Sequence, residues 1–303
     1  MNVQPIIISC IVTSFRREKA VVKRALDSIL AQTFEDYEIL LIDDNWGEGS
    51  ETFSKALEEL GGLSDRITVI KTEGGHGAQR ARNTGIAHAS GKYLAFLDDD
   101  DEWLPTKLAK QAAVLDSDPI IGMCYCNSMV VNENFNPPKV ITDKAGKFVT
   151  SASYADMLRC DNVGSTSKAM IRENVFETVG GFDESLPARQ DYEMWVRISK
   201  SFAIRGIDEM LVKYHISGGN GQISKNWDNC IDGHTKLYLK YKSDIDRDPR
   251  ARFNIFFYLA HYHRMKGNTF KALILYAKSF FVSPAGFWEM ARIKLRQKKG
   301  EAV

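Results

Sequence analysis

Between residues 6 and 97 the chain alternates four short, almost wholly apolar runs with stretches of helical periodicity, and that alternation admits few folds. Ile6–Thr13, Tyr37–Ile42, Ile67–Ile70 and Lys92–Leu97 are apolar and rich in β-branched or aromatic residues and read as strands. Glu18–Gln32, Glu51–Leu60 and Ala78–Ala89 read as the helices between them; in the first, Val21, Ala25 and Ile29, with Leu26 and Leu30, make one apolar face. A strand that is apolar on both sides needs both faces covered, and parallel β/α units do this by laying helices across them. The expected class is therefore α/β, a doubly wound mixed, mainly parallel sheet. Such sheets bind ligands beyond the carboxyl ends of their strands. The polar clusters Thr13-Ser14-Phe15, Asp43-Asp44-Asn45 and Asp98–Asp101 all fall there.

Ile121–Val131 reads as a further strand, Asn132–Lys147 as a loop or hairpin, and Leu211–His215 as a short strand. Arg189–Ser199 has Tyr192, Trp195, Val196 and Ser199 at helical spacing, and Ser217–Gly221 is a glycine-rich loop. From about Trp227 the pattern is helical, with Phe253–Met265, Thr269–Phe281 and Pro284–Arg296 joined by short turns. Two units are expected, a sheet-bearing domain over residues 1–222 and a C-terminal helical extension over 223–303. Charge divides in a similar place. From residue 251 onward ten Lys/Arg face two Asp/Glu, while the rest of the chain is acidic. The five cysteines form no C-x-x-C pair and read as reduced, buried thiols. Met1–Pro5 has no basic leader pattern and no run reaches ~18 apolar residues, so a cytoplasmic protein is expected.

Four adjacent carboxylates, Asp98 to Asp101, repel one another and resist burial, so they call for a cation or for solvent. Asp98 and Asp100 are two apart; in extended backbone they share a direction and could grip one divalent ion. Hard oxygen ligands suit Mg²⁺ or Mn²⁺, which bridge carboxylates to nucleotide phosphates. The bland alternative is an acidic turn capping a helix that begins near Leu104. Placement directly after the apolar strand Tyr93–Leu97 favours the ligand reading.

The series Ser9–Arg16, Gln32-Thr33-Phe34, Ile42-Asp43-Asp44, Ala81-Arg82-Asn83-Thr84-Gly85, Phe96–Asp101 and Gly180–Glu184 resembles a family 2 glycosyltransferase of the GT-A fold, over roughly residues 5–220. The resemblance implies an inverting transferase that uses a nucleotide-diphospho sugar and a divalent metal. It places Thr13 and Phe15 at the nucleotide base, where an aromatic ring can stack. Asp44, with Asp43 beside it, matches a carboxylate that accepts from uracil N3–H; an acceptor-only group favours uridine over cytidine. Asp43-Asp44-Asn45 is equally a turn-initiating sequence. Arg82 and Asn83 match a helix facing the donor, with Arg80 and Arg82 as phosphate partners or as solvated charges. Gly74–Gly77 permits close backbone approach but lacks G-x-G-x-x-G spacing.

The same resemblance puts Asp98 and Asp99 at the donor, Asp98 and Asp100 on the metal, and Asp191 as the base that deprotonates the acceptor hydroxyl. The family's usual Glu-Asp is here Gln190-Asp191, which leaves the first position a contact to the acceptor at most. Glu193 is a second candidate base, and a helix N-terminal charge is the plain reading of Asp191. His215 matches a histidine brought to the metal or diphosphate. Phe182 and Trp195 read as packing residues. The implied acceptor is a saccharide, typically one growing on a polyprenyl diphosphate.

After residue 250, Phe256, Phe257, Tyr258, Phe280, Phe281, Phe287 and Trp288 are interleaved with Lys and Arg. That pattern suits either peripheral contact with the inner face of a membrane or packing against the sheet domain. An acidic body argues against nucleic acid. A processive synthase is disfavoured by the lack of Q-x-x-R-W and of membrane helices. A sugar nucleotidyltransferase is disfavoured because Val12–Glu18 has no glycine-rich, lysine-containing phosphate loop. A nucleotide-sugar sensor or assembly partner is separated from an enzyme by turnover alone.

Overall fold

A computed structural model describes residues 7–73, 77–135, 137–142, 148–216 and 226–298. Gly74-Gly75-His76, the Ser217–Gly221 loop and Met1–Pro5 lie outside the described residues.

The first third follows its pattern: β1 (Ile8–Ser14), α1 (Lys19–Leu30), β2 (Tyr37–Asp43), α2 (Ser50–Gly61), β3 (Ile67–Lys71), α3 (Ala78–His88) and β4 (Tyr93–Asp98). β1 pairs in parallel with β2 and with β4, and β2 with β3. Then come β5 (Glu102–Trp103), α4 (Lys107–Ser117), β6 (Ile121–Asn132), β7 (Lys139–Thr142), β8 (Ser151–Ala152) and α5 (Tyr154–Arg159). After them run β9 (Ala169–Arg172), α6 (Glu173–Val179), α7 (Gln190–Ile198) and β10 (Ala203–Ile216). β9 lies antiparallel between β4 and β6, and β10 runs parallel to β6. The result is one mixed sheet with the order β3-β2-β1-β4-β9-β6-β10-β5.

β10 is longer than the expected Leu211–His215. Register shifts between Ile207 and Val212 break the alternation of its first half, which hides it from a period-two reading. β7 folds back on β6, so Asn132–Lys147 contains a hairpin pairing.

The strands alternate as a two-sided sheet requires. Ile11, Leu40, Ile42, Leu94 and Phe96 project into one apolar layer. Cys10, Val12, Ile39, Leu41, Ala95 and Leu97 project into the other, under α1, α2 and α4. Each buried Val, Leu, Ile or Phe among them contributes roughly 1.5–3 kcal/mol, so the layers rather than helix propensity hold the architecture. α3 sits close against β1, because a Cβ on Gly85 would come within 2.5 Å of Ile11 Cγ2. Four of the five cysteines are buried and none is bridged.

The C-terminal helices are α8 (Trp227–Lys240), α9 (Lys242–Arg247), α10 (Pro249–Met265), α11 (Thr269–Val282) and α12 (Pro284–Lys298). Leu237, Tyr241, Ile245, Ala251, Ile255 and Leu259 join the same apolar layer as Phe96 and Trp195, so α8 to α10 share the core of the sheet. Phe257, Tyr276, Phe280 and Phe287 close a second aromatic cluster among α10, α11 and α12. Among the described residues no helix is long and apolar enough to cross a membrane.

Candidate functional site

Beyond the carboxyl ends of β1, β2 and β4 lies a cleft of about 900 Å³. Thr13 and Phe15, at the end of β1, border it as their sequence position suggests. So does Trp46, which pattern reading passes over although it directly follows the Asp-Asp-Asn at the end of β2. The rings of Phe15 and Trp46 are about half exposed and stack at 6.4 Å, 27° apart. Arg16, at φ 48°, ties the two loops together: its N–H donates to Asn45 Oδ1 at 2.5 Å and its guanidinium to the Trp46 and Glu48 carbonyls.

Asp43 and Asp44 part company. The Asp43 carboxylate folds back to accept from Asn45 N–H and Asn45 Nδ2 at 2.9 and 2.7 Å, which makes it the turn former rather than a base contact. Asp44 borders the cleft, accepting from Thr72 Oγ1 at 2.7 Å and from the Gly77 N–H at 3.3 Å.

Asp98 ends β4, and the next residues form a tight turn closed by the Asp101 N–H on the Asp98 carbonyl at 3.0 Å. This turn, not strand alternation, brings Asp98 and Asp100 to one cleft together with Asp99. Arg82 on α3 donates to Asp98 at 2.6 Å, and Thr166 and Ser165 add hydroxyls. Arg17, another residue outside the sequence reading, bridges Asp99 and Asp100 at 2.9 Å each. Burial pushes Asp99 up to about 6 against the pull of Arg17, and raises Asp100 likewise. Asp101 is fully buried and anchors the turn through Ser167 Oγ and the His215 N–H.

Among the described residues no three His, Cys, Asp or Glu side chains converge as a metal cage. The donor set instead fits an ion that takes one or two carboxylates and completes its shell with phosphate oxygens. Asp98 and Asp100 supply hard oxygens whose side chains are 29% and 27% exposed on the cleft wall.

Two expected ligands are placed otherwise. The ring nitrogens of His215 face Glu133 at 2.8 Å and Glu102 at 2.7 Å, and the ring does not border the cleft. Arg80 is half-buried and also off the cleft, because residues two apart on a helix point to different faces. Arg82 does border it, and its Nη1 is buried with no hydrogen-bond partner among the described residues. Asn83 clasps the Gly180–Glu184 loop by bonds to both the N–H and the carbonyl of Phe182. Phe182 and Trp195 pack in the core.

A further part of the lining begins with α7. Arg189, just before it, is left-handed at φ 65°, and its guanidinium meets the Tyr262 hydroxyl of α10 at 2.5 Å. Asp191 borders the cleft and accepts from the Tyr192 N–H at 2.7 Å. Burial first, then the charge of Asp161, pushes it up to about 6, while Arg189 and Arg82 oppose. Gln190 Oε1 is buried in the same part with no hydrogen-bond partner among the described residues. Glu193, on another face of the same helix, is wholly buried in a network of Arg197, Lys240 and the Tyr241 hydroxyl and does not border the cleft. Asp161, Ser165, Thr166, Tyr214 and Cys230 also line the cleft, and none stands in a recognisable local motif.

Residues 9–179 match the sequence profile of glycosyl transferase family 2. An Escherichia coli UDP-Glc:alpha-D-GlcNAc-diphosphoundecaprenol beta-1,3-glucosyltransferase, WfgD, is 29% identical over 233 residues, covering 73% of this chain and 84% of that one. Among solved structures, Staphylococcus aureus TarS 1-349 in complex with UDP-GlcNAc is similar with a TM-score of 0.57 at 14% identity, covering 97% of this chain and 92% of that one. Mannosyltransferase PcManGT from Pyrobaculum calidifontis, in complex with GDP-Man and Mn²⁺, gives 0.59 at 17% identity, covering 96% and 80%. At such identities the structures establish the GT-A fold, in agreement with the mixed sheet described above.

Proposed function

This chain belongs to glycosyl transferase family 2, and on that premise we propose that it moves a hexosyl or N-acetylhexosaminyl group from a UDP-sugar to a saccharide hydroxyl, with inversion. The observation that carries the reading is one cleft lined together by Asp44, Asp98, Asp100 and Asp191. Phe15 and Trp46 offer ring faces to the base, and Asp44 an acceptor to uracil N3–H. Arg82, whose Nη1 has no hydrogen-bond partner among the described residues, supplies a donor for the diphosphate. Mn²⁺ or Mg²⁺ held by Asp98 and Asp100 would supply charge neutralisation for the departing diphosphate. Asp191, raised toward neutrality, takes the proton from the acceptor hydroxyl as that oxygen attacks the anomeric carbon. Gln190 Oε1 is an acceptor free to orient a neighbouring hydroxyl.

WfgD is named for transfer from UDP-Glc to a diphosphoundecaprenol-linked sugar, which supports a lipid-linked saccharide acceptor and a place in surface polysaccharide synthesis. The Mn²⁺ in the PcManGT complex supports the metal. The test is a panel of UDP-sugars assayed for Mn²⁺-dependent rise in melting temperature, followed by turnover with a lipid-diphosphate GlcNAc acceptor. Stabilisation by at least one UDP-sugar and release of UDP are expected. Binding without any turnover would make the protein a nucleotide-sugar sensor, and stabilisation by no UDP-sugar would remove the donor assignment.

A further inference from the structure

The last helices carry an apolar stripe that the described fold leaves uncovered. On α11, Phe270, Leu273, Ile274 and Phe281 follow i, i+3, i+4 and i+11 spacing and project from one side. They are 79%, 61%, 43% and 83% exposed, and Trp288 on α12 adds a ring that is 60% exposed. The other side of α11 is already satisfied, with Ala272 and Ser279 buried toward α10. Lone surface apolar residues are ordinary, but five large ones on two adjoining helices mark a contact surface.

Charge identifies the occupant. From Thr269 to Lys298 six Lys/Arg face one acid, Glu289, and Lys271 and Lys278 stand exposed beside the stripe, with Arg292 further along α12. A second copy docked by a two-fold axis would bring the same basic surface, in which Glu289 is the one acid from Thr269 to Lys298, against these lysines. An anionic lipid surface answers both features: headgroups for the lysines and an apolar interior for the rings. We propose that the α11–α12 face lies in the surface of an anionic membrane, inserting Phe270, Phe281 and Trp288. This goes beyond the transfer chemistry and does not depend on it.

The test is sedimentation of the full chain with vesicles of phosphatidylcholine alone and of phosphatidylcholine mixed equally with phosphatidylglycerol. Binding is expected to the mixed vesicles, to be weak without the anionic lipid, and to fall as salt rises. Phe270→Ser with Phe281→Ser should weaken partitioning at least about tenfold, and Lys271→Glu with Lys278→Glu by about fivefold per lysine or more. Unchanged melting temperature and UDP affinity in these variants would show that the fold and the donor site are intact. Wild-type protein that stays in solution with anionic vesicles, or serine variants that pellet equally well, would overturn the assignment. So would a dimer in solution that the serine variants convert to monomer, since that makes the stripe a protein interface.

Discussion

The two parts of the cleft lining are built by different means and set their acids among different neighbours. The part proposed for the donor comes from the ends of β1, β2 and β4 and from α3, all within the first hundred residues, and its acids are answered by arginines: Arg17 on Asp99 and Asp100, Arg82 on Asp98. The other part gathers Asp161, Gln190, Asp191 and Cys230 from distant parts of the chain, and Arg189 is held there by Tyr262 of a C-terminal helix. Its two acids crowd each other, and burial raises Asp191. A lining with paired charge suits an anionic ligand and its counter-ion, whereas a lining with a crowded carboxylate suits taking up a proton.

The sharpest way to break this contrast is at the part proposed for the donor. Asp100→Ala should abolish transfer and metal-dependent UDP-sugar binding while the melting temperature of the free protein changes little, because Asp100 is on the cleft surface. Chelator should do the same to the wild type. Full turnover in chelator would remove the metal from the mechanism.

Next in size is the helix that carries two acids. Asp191→Asn keeps shape but cannot accept the hydroxyl proton, so transfer should fall at least about a hundredfold with near-normal UDP affinity. Glu193→Gln should do the reverse: transfer within a few-fold, but stability down by about 2 kcal/mol, because a wholly buried partner of Arg197 and Lys240 loses its charge. Denaturant unfolding and steady-state rates on both variants decide it. Exchange of the two outcomes would move the base to Glu193.

That helix also shows what the sequence discloses and what it hides. The sheet from β1 to β4 is legible because unbroken apolar runs admit one arrangement, and strand ends point to the cleft without further information. Asp44, Asp98 and Asp100 follow from that rule, and the place of Trp46 just after β2 carries the same signal. β9, four residues long, and the bulged first half of β10 carry no clean period, so the antiparallel step between β4 and β6 is not legible. Asp43 and Asp44 are neighbours with identical side chains in a turn-initiating sequence, and residue type alone does not say which of the two the Asn45 N–H captures. The surroundings of His215 are hidden for a different reason, since Glu102 and Glu133 reach it from other segments.

At the base, the effects should be moderate. Asp44→Ala should weaken UDP binding by about 1.5–3 kcal/mol, the worth of a charged hydrogen bond. Trp46→Ala should cost about 1–3 kcal/mol if the exposed ring stacks on the base. Arg80→Ala, off the cleft, should leave affinity unchanged. Calorimetry with UDP measures all three, and an Arg80 loss equal to that of Arg82→Ala would place the phosphate on the wrong face of α3.

The smallest expected effect tests the acid-crowded part itself. Because Asp191 is raised, its base form fills only as pH climbs through about 6, so transfer should rise through that range and then level. The two neighbours push in opposite senses: Asp161 raises the carboxyl and Arg189 lowers it. Asp161→Asn should therefore move the rising limb to lower pH, and Arg189→Met should move it to higher pH, each by about half a unit to one unit. Stability carries the same sign information. A carboxyl whose folded pKa lies above its unfolded value favours folding while protonated, and that advantage is lost as pH rises through the window between the two. At neutral pH the charged Asp191 is then a cost to the fold, and Asp191→Asn should melt higher than wild type there, with the gap closing toward pH 4. Limbs that do not move, together with an Asp191→Asn protein that gains nothing at neutral pH, would mean that Asp161 and burial leave this carboxylate unperturbed, and the contrast between the two parts would be one of shape alone.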